Sequence, residues 1–377
     1  MTTDVESPAP AGTRRDRLTF VRIVVLLLLY ATVAGFAVSE FIRFPGLGNV
    51  SSALGGEDFF GDMVYGRAPQ PYVTRVLVPW LIRGAVVVTP QTVRDRVAQN
   101  VRATMTTEGK PEWLYGYPFE FTMAKNIILL FAVGFAFALW WLARLVLDAP
   151  APAVDVIPVA VLFALPGMYG HASHLYDFPA LCLFTLGLAL IAARRRWLYL
   201  LVFVAATLNK ETALMLTLVW AVSGASRLSR RHLMSGIVLQ LAVWGFIRGG
   251  LWLLFRHNPG EAVALHLPSN LQVLGQHDTW FRFRTVADWL VLPTGFNVLY
   301  LLGFLTSLYA LRGAPRFLKD AFWVAVPIFL LTLLFGKIDE VRVYYELLPV
   351  VVLALFSGLY RLMGYGPRSQ SSASVTT

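Results

Sequence analysis

Long, nearly uninterrupted apolar runs recur along this chain, near 20–40, 122–146, 156–170, 175–193, 233–255, 293–311, 318–335 and 343–361. A helix rises about 1.5 Å per residue, so roughly 20 apolar residues cross a hydrocarbon core about 30 Å thick. In lipid, backbone polar groups must be satisfied inside a helix or a closed barrel. A barrel reads as segments of about ten residues with alternating hydrophobicity. These runs are continuous and rich in Leu, Val, Ala and Phe. The expectation is an all-α, polytopic transmembrane protein of about eight full spans.

Composition narrows the class further. Charged residues make up 14% of the chain, against about 25% in a soluble domain. A soluble enzyme, a disordered chain and a disulfide-rich module are excluded. Cys182 has no second cysteine to pair with and sits in an apolar run, which reads as a buried thiol packing as a small hydrophobe. The net charge of +10 is first a topological signal, because Lys and Arg collect in short cytoplasmic loops. No nucleic-acid-binding motif accompanies it, so no nucleic-acid partner is expected.

Residues 1–19 end in Arg14, Arg15 and Arg17 and read as a disordered cytoplasmic tail; 364–377 reads as a second disordered tail. The run at 20–40 is too long for a signal-peptide core, so it reads as an uncleaved anchor. The compact basic clusters are Arg14/Arg15/Arg17, Arg194–Arg196, Arg227/Arg230/Arg231, Arg312/Arg316/Lys319 and Arg361/Arg368. All five fall on the cytoplasmic side if 41–121 stays outside and if 197–208 and 211–222 form a hairpin that enters and leaves on one side. Each leg of that hairpin is about a dozen residues, or roughly 18 Å of helix, which is short of a crossing. Loop 147–155 fits least well, since it is placed inside yet carries Asp148 and Asp155 without Lys or Arg. The stretch 72–90 is broken by Arg75, Pro79, Arg83 and Pro90 and reads as an interfacial amphipathic helix. The result is a single transmembrane domain over 20–363 with outer loops at 41–121 and 256–292. It is expected in a bacterial-type plasma membrane with both termini cytoplasmic. Of the 22 acids, 14 fall at or beyond the outer boundary, so the outer surface is where this protein is expected to work.

Five segments carry residues able to do chemistry. Glu57, Asp58 and Asp62 lie in a Gly- and Phe-rich stretch of the first outer loop. A carboxylate there can act as a general base toward a hydroxyl, although a solvated acidic turn has the same composition. Arg75 follows on the interfacial segment beside Trp80; it reads as a snorkelling anchor or as a phosphate ligand. His171, His174 and Asp177 are spaced by three, which puts them on one face if the segment is helical. That makes them the one candidate set for a divalent metal; no other cofactor is indicated. Asp177 otherwise reads as a functional or capping residue at a helix start. Lys210 and Glu211 mark the hairpin tip, where ionisable groups are costly and face a partner or a cavity. They read either as a pair with each other or as an anion site centred on Lys210. Arg342, Tyr345 and Glu346 sit at the start of the last run; a tyrosine belt accounts for Tyr344 and Tyr345 but less well for the two charges.

In order and placement these segments resemble the C-type superfamily of membrane glycosyltransferases. The likeness rests on Glu57-Asp58 after the first span, the interfacial Tyr72–Leu81 stretch, the Asn209-Lys210-Glu211-Thr212 tip and the late Arg342–Pro349 segment. It covers about 50–360, and the motifs are short. The resemblance implies a polyprenyl-phosphate sugar donor and a hydroxyl acceptor at the outer face. It also implies a first-loop acid as base and Lys or Arg groups on the donor phosphate. Asp58 is then the base, with Glu57 and Asp62 as alternatives. Arg75, Asp177, Lys210, Glu211, Arg342 and Tyr345 are then the substrate-binding set. One displacement assisted by one base inverts the anomeric centre. The departure from the family pattern is the absence of a clear metal set. A lipid or glycan transporter would instead spread polar residues over several spans, which are nearly free of them here. A non-catalytic scaffold would tolerate loss of Asp58 and Lys210.

Overall fold

The computed structural model describes residues 11–43, 59–104, 116–169, 173–261 and 263–365. It is a mostly helical structure. The helices, in chain order, are α1 (Ala11–Arg43), α2 (Phe59–Tyr65), α3 (Leu77–Val88), α4 (Gln91–Thr104), α5 (Pro118–Val146), α6 (Ala151–Ala164) and α7 (Asp177–Ala192). They continue with α8 (Arg196–Asn209), α9 (Met215–Ala225), α10 (Arg230–Leu254) and α11 (Leu267–Gly275). The last are α12 (Val298–Ala310), α13 (Arg316–Ala321), α14 (Ala325–Phe335) and α15 (Leu348–Leu362). Among the described residues, five helical stretches are long and apolar enough to cross a membrane: Phe20–Arg43, Pro118–Val146, Ala151–Met168, Arg230–Leu254 and Arg316–Phe335. Six more apolar helices are shorter, among them α7, α8 and α15.

The apolar runs read from the sequence therefore return as helices, with differences at their ends. α1 already begins at Ala11, inside the stretch read as a tail; 1–10 and 366–377 lie outside the described residues. The stretch 72–90 is not one helix: a 3-10 turn, Tyr72–Thr74, precedes α3. The run at 318–335 is α13 and α14 joined by a 3-10 turn, Phe322–Val324.

α7 is the core of the bundle. It is apolar on every side, and a helix of that kind is stable only when surrounded. It packs along α5, α8 and α9. Small residues allow the close approach, as they do between membrane helices. A Cβ on Gly134 of α5 would stand 2.9 Å from the Cys182 sulfur, and one on Gly187 would stand 2.8 Å from the Leu216 side chain. Cys182 is buried here, as its apolar run implied.

Side-chain bonds gather particular helix ends. The guanidinium of Arg22 grips Asp155 at 2.7 Å, and the Trp140 indole N–H donates to the same carboxylate. The basic partner missing from loop 147–155 is thus supplied by α1. The Tyr360 hydroxyl donates to the Ala153 carbonyl and Arg361 donates to the Ala310 carbonyl, so the ends of α12 and α15 join that same end. At the other end, the Tyr169 hydroxyl donates to the Ala37 carbonyl, and Arg248 of α10 donates to Thr74.

The all-α expectation needs one correction. The loop 256–292 holds α11 and then an antiparallel hairpin of β1 (Phe283–Val286) and β2 (Leu290–Pro293), with Phe283 opposite Pro293 and Val286 opposite Leu290. Ala287 and Asp288 turn it with φ of 50° and 63°. The usual hairpin signal is Asn-Gly or Asp-Gly, and this turn contains no glycine. The hairpin lies on the 3-10 turn Leu165–Met168 after α6; a Cβ on Gly167 would fall 2.7 Å from the Pro293 carbonyl oxygen. Asn270 of α11 fastens the same loop to α14. Its amide donates to the carbonyls of Thr332, Leu333 and Gly336, and its oxygen accepts from the Ile338 N–H.

Candidate functional site

The site forms where four chain reversals meet: the segment entering α7, the tip between α8 and α9, the turn before α3 and the segment entering α15. The α8–α9 tip is held by local rules. α8 ends when Lys210 turns extended, at φ −158° and ψ 143°, and a 3-10 turn, Glu211–Leu214, restarts the helix. Because the backbone is extended there, Lys210 and Glu211 point apart and find different partners. The tip is docked by the Asn209 amide donating to the Tyr176 carbonyl at 3.0 Å, and by the Val76 N–H donating to the Leu208 carbonyl.

Glu211 faces two guanidiniums. Arg75 Nη2 lies 2.7 Å from Glu211 Oε1, and Arg248 Nη2 lies 3.5 Å from Oε2. The Arg75 guanidinium also lies over the Tyr176 ring, 4.1 Å from its centre, a geometry that favours a planar cation. Arg248 is fixed by the Thr74 hydroxyl at 2.8 Å and by the Thr74 carbonyl at 3.1 Å. The Trp244 indole donates to the Glu211 carbonyl.

Lys210 takes the other direction. Its Nζ lies 2.8 Å from Glu346 Oε1, and the Thr212 hydroxyl donates to the same oxygen. The Glu346 side chain is only 2% exposed. Arg342 comes from the 3-10 turn Val341–Tyr344 just ahead of α15. It bonds Glu340 through Nε at 3.0 Å and reaches toward Asp177, with Nη1 3.9 Å from Oδ2. Burial pushes the Arg342 guanidinium down to about 10, so it stays charged at neutral pH. Asp177 Oδ2 accepts the His174 backbone N–H at 2.9 Å. The His174 ring stacks on Tyr176 and lies against Tyr72 and Phe59. Tyr345 is buried beside this group.

Four cations (Arg75, Lys210, Arg248, Arg342) and four carboxylates (Asp177, Glu211, Glu340, Glu346) thus meet at one end of the bundle. Lys337, more exposed, adds a further cation 3.9 Å from Glu340, and not every polar atom of the group is hydrogen-bonded. Ser173 Oγ, His174 Nε2, Asn209 Oδ1, Arg342 Nη1 and Glu346 Oε2 are buried without a hydrogen-bond partner. Buried polar atoms are nearly always satisfied, and an unpartnered one costs about 1–3 kcal/mol. Five such atoms around one set of turns leave this network open to further polar partners.

Of the residues singled out from the sequence, Arg75, Asp177, Lys210, Glu211, Arg342 and Tyr345 come together here, along with His174. Lys210 and Glu211 do not pair with each other. The one-face argument for His174 and Asp177 does not hold, because the helix begins only at Asp177 and His174 precedes it in a turn. His171, Glu57 and Asp58 lie outside the described residues. Among the described residues no three His, Cys, Asp or Glu side chains are placed to hold a metal. Asp62 is in α2 and is taken up by Arg67, at 2.8 Å. Phe59, the residue after Asp58, packs on Tyr72 and His174, so α2 starts against the cluster.

Arg248 was missed, yet its signal was legible: it is the one ionisable residue inside the run 233–255, and such residues are functional candidates by default. Thr74 and Thr212 carried no signal, since an isolated threonine is common on any surface. No family model matches this chain, and comparison with curated proteins and with solved structures gives no significant match to either.

Proposed function

We propose that this chain is a membrane-embedded glycosyltransferase of the C type, which moves a sugar from a polyprenyl-phosphate donor to a hydroxyl acceptor at the end of the bundle that holds Asp177. The observation that carries the reading is the set of buried, unpartnered polar atoms inside a cluster of four cations and four carboxylates. A phosphate supplies an acceptor for Arg342 Nη1, and the Ser173 hydroxyl and His174 ring can donate to it as well, whereas Asn209 Oδ1 and Glu346 Oε2 are acceptors that sugar hydroxyls would meet. Expelling a phosphate-bearing lipid also needs cations already in place in a low-dielectric site. Arg342 Nη1 is the free donor nearest to hand. Lys210 and Arg75 complete the phosphate pocket, and Asp177 and Glu346 orient Arg342 and Lys210 while the site is empty. Asp58 is the general base, delivered by the segment that leads into α2.

The same reading places eight crossings in the membrane: α1, α5, α6 with its 3-10 turn, α7, α10, α12, α13–α14 and α15. α8 and α9 then form the same-side hairpin, and both termini are cytoplasmic in a bacterial-type plasma membrane. A transporter finds less support, since the charges gather at one end of the bundle rather than along several spans.

The test uses the purified chain in liposomes with a panel of polyprenyl-phosphate monosaccharides. Release of polyprenyl phosphate, with sugar appearing on an alkyl-glycoside acceptor, is expected from the wild type and lost in Asp58→Asn, with expression unchanged. Turnover that persists in Asp58→Asn moves the base to Glu57 or Asp62. No donor in the panel being bound or cleaved ends the glycosyltransferase reading. Orientation is read separately: Arg67→Cys should react with an impermeant thiol reagent from outside intact cells, and Arg230→Cys only after permeabilisation.

A further inference from the structure

The opposite end of the bundle holds a cavity that the proposed transfer does not use. It has a volume of about 170 Å³ and lies between the end of α7, the start of α8 and the end of α9. Arg194 and Arg196 line it from the α7–α8 turn and Arg227 from the α9–α10 turn, with Tyr199, Trp220 and Ser223 on its walls. None of these three guanidiniums pairs with a carboxylate among the described residues, whereas every cation of the Asp177 cluster does. Its walls are fixed rather than fluid. A Cβ on Gly236 would fall 2.2 Å from the Trp220 ring, so the indole lies directly on the α10 backbone. The Tyr199 hydroxyl is held by Gln240.

Arg194 stands at φ 58°, where glycine is favoured, and closes α7: its N–H donates to the Ile191 carbonyl and the Arg195 N–H to the Leu190 carbonyl. An arginine at that position adds a cation to the rim at a conformational cost that glycine would not carry. A positively charged recess between helices is matched by a phosphate, which accepts several N–H donors at once.

We propose that this recess binds the phosphate headgroup of an anionic membrane lipid. The lipid source is chosen because the recess lies at the helix ends of a chain with five described helical stretches long and apolar enough to cross a membrane, the level at which headgroups sit. Leu190, Ile191, Trp220 and Leu228 give its walls an apolar part beside the arginines. The headgroup enters between Arg194, Arg196 and Arg227. At about 30 Å³ per water-sized volume, the recess has room for a headgroup fragment and not for a whole lipid.

The experiment measures thermal stabilisation and native-mass-spectrometry retention of the full chain in neutral detergent. It is titrated separately with phosphatidylglycerol, phosphatidylcholine and inorganic phosphate. Phosphatidylglycerol should bind and the other two should not. Arg194→Gln, Arg196→Gln and Arg227→Gln should each weaken binding about fivefold, the scale of one cation at a membrane surface. The triple variant should lose about a hundredfold. The paired control Arg312→Gln/Arg316→Gln, at the same end but not lining the recess, should stay within about twofold. Equal losses in the control and the triple variant would mean diffuse surface attraction and would overturn the site. Stabilisation by inorganic phosphate as strong as by phosphatidylglycerol would make it a soluble-phosphate site and overturn the lipid assignment. The single variants, all at exposed side chains, keep the result readable if the triple variant does not assemble. None of these residues belongs to the Asp177 cluster, so failure here leaves the transfer reading untouched.

Discussion

At the end of the bundle that holds Asp177, Arg75 sits 2.7 Å from Glu211 and Lys210 sits 2.8 Å from Glu346; at the other end, Arg194, Arg196 and Arg227 line a recess with no carboxylate paired to them among the described residues. The two groups differ in burial as well as in pairing. The Lys210, Arg75 and Arg342 side chains are 9–12% exposed, while the arginines of the recess lie at the surface. The difference follows from solvation. A cation out of water needs a counter-charge within a few ångströms, because its desolvation amounts to several kcal/mol. A cation at the surface needs none, and its field stays available to a soluble or lipid anion. Under the proposed transfer, a ligand phosphate would have to compete with the carboxylates already paired there.

Cutting one partner from a buried pair is the strongest way to break this contrast. Lys210→Ala leaves Glu346 buried and uncompensated, and should cost about 3–5 kcal/mol in thermal unfolding. Lys210→Met/Glu346→Met removes both charges and should recover most of that loss. A Lys210→Ala protein as stable as wild type would mean that the pair is not formed in the folded chain. Glu211 is 35% exposed at its side chain and faces two guanidiniums, so Glu211→Gln should cost less, about 2 kcal/mol after allowing for solvent.

Two smaller changes sharpen the comparison. Arg75→Lys keeps the charge but loses the forked contact to Glu211 and the stack on Tyr176, for about 1 kcal/mol. At the basic end, Arg230→Gln should change unfolding by no more than about 0.5 kcal/mol, as for most surface positions. Raising the salt from about 0.1 M to 1 M should leave the Lys210→Ala effect nearly unchanged, because a buried pair is poorly screened, and should reduce the Glu211→Gln effect in part. An Arg230→Gln effect as large as that of Lys210→Ala would erase the distinction between the two ends.

The α8–α9 tip shows how far the sequence reached. Asn209-Lys210-Glu211-Thr212 between two short apolar legs was enough to locate a polar break between two helices. It was not enough to pair the charges. Glu211 was weighed as a partner for its neighbour Lys210, yet the two side chains go to residues 136 positions away, Arg75 and Glu346 respectively. The β-hairpin is a similar case, because its turn uses Ala287 and Asp288 at positive φ where the sequence signal is a glycine.

Although it did not show the shorter helices Gln91–Thr104 and Leu267–Gly275 inside the loops, the sequence by itself determined the long apolar helices, the polar breaks between them and which residues are too costly to bury alone. Those are properties of hydropathy and local backbone preference, readable within about 20 residues. Tertiary structure alone decided that Arg75, Arg248 and Glu211 share one contact, that Lys210 belongs to Glu346, and that Arg22 neutralises Asp155 from across 133 residues. Pairing of that kind depends on which helix ends become neighbours. That is set by the packing of small and large side chains along α5, α7 and α8, a long-range outcome that no local pattern encodes.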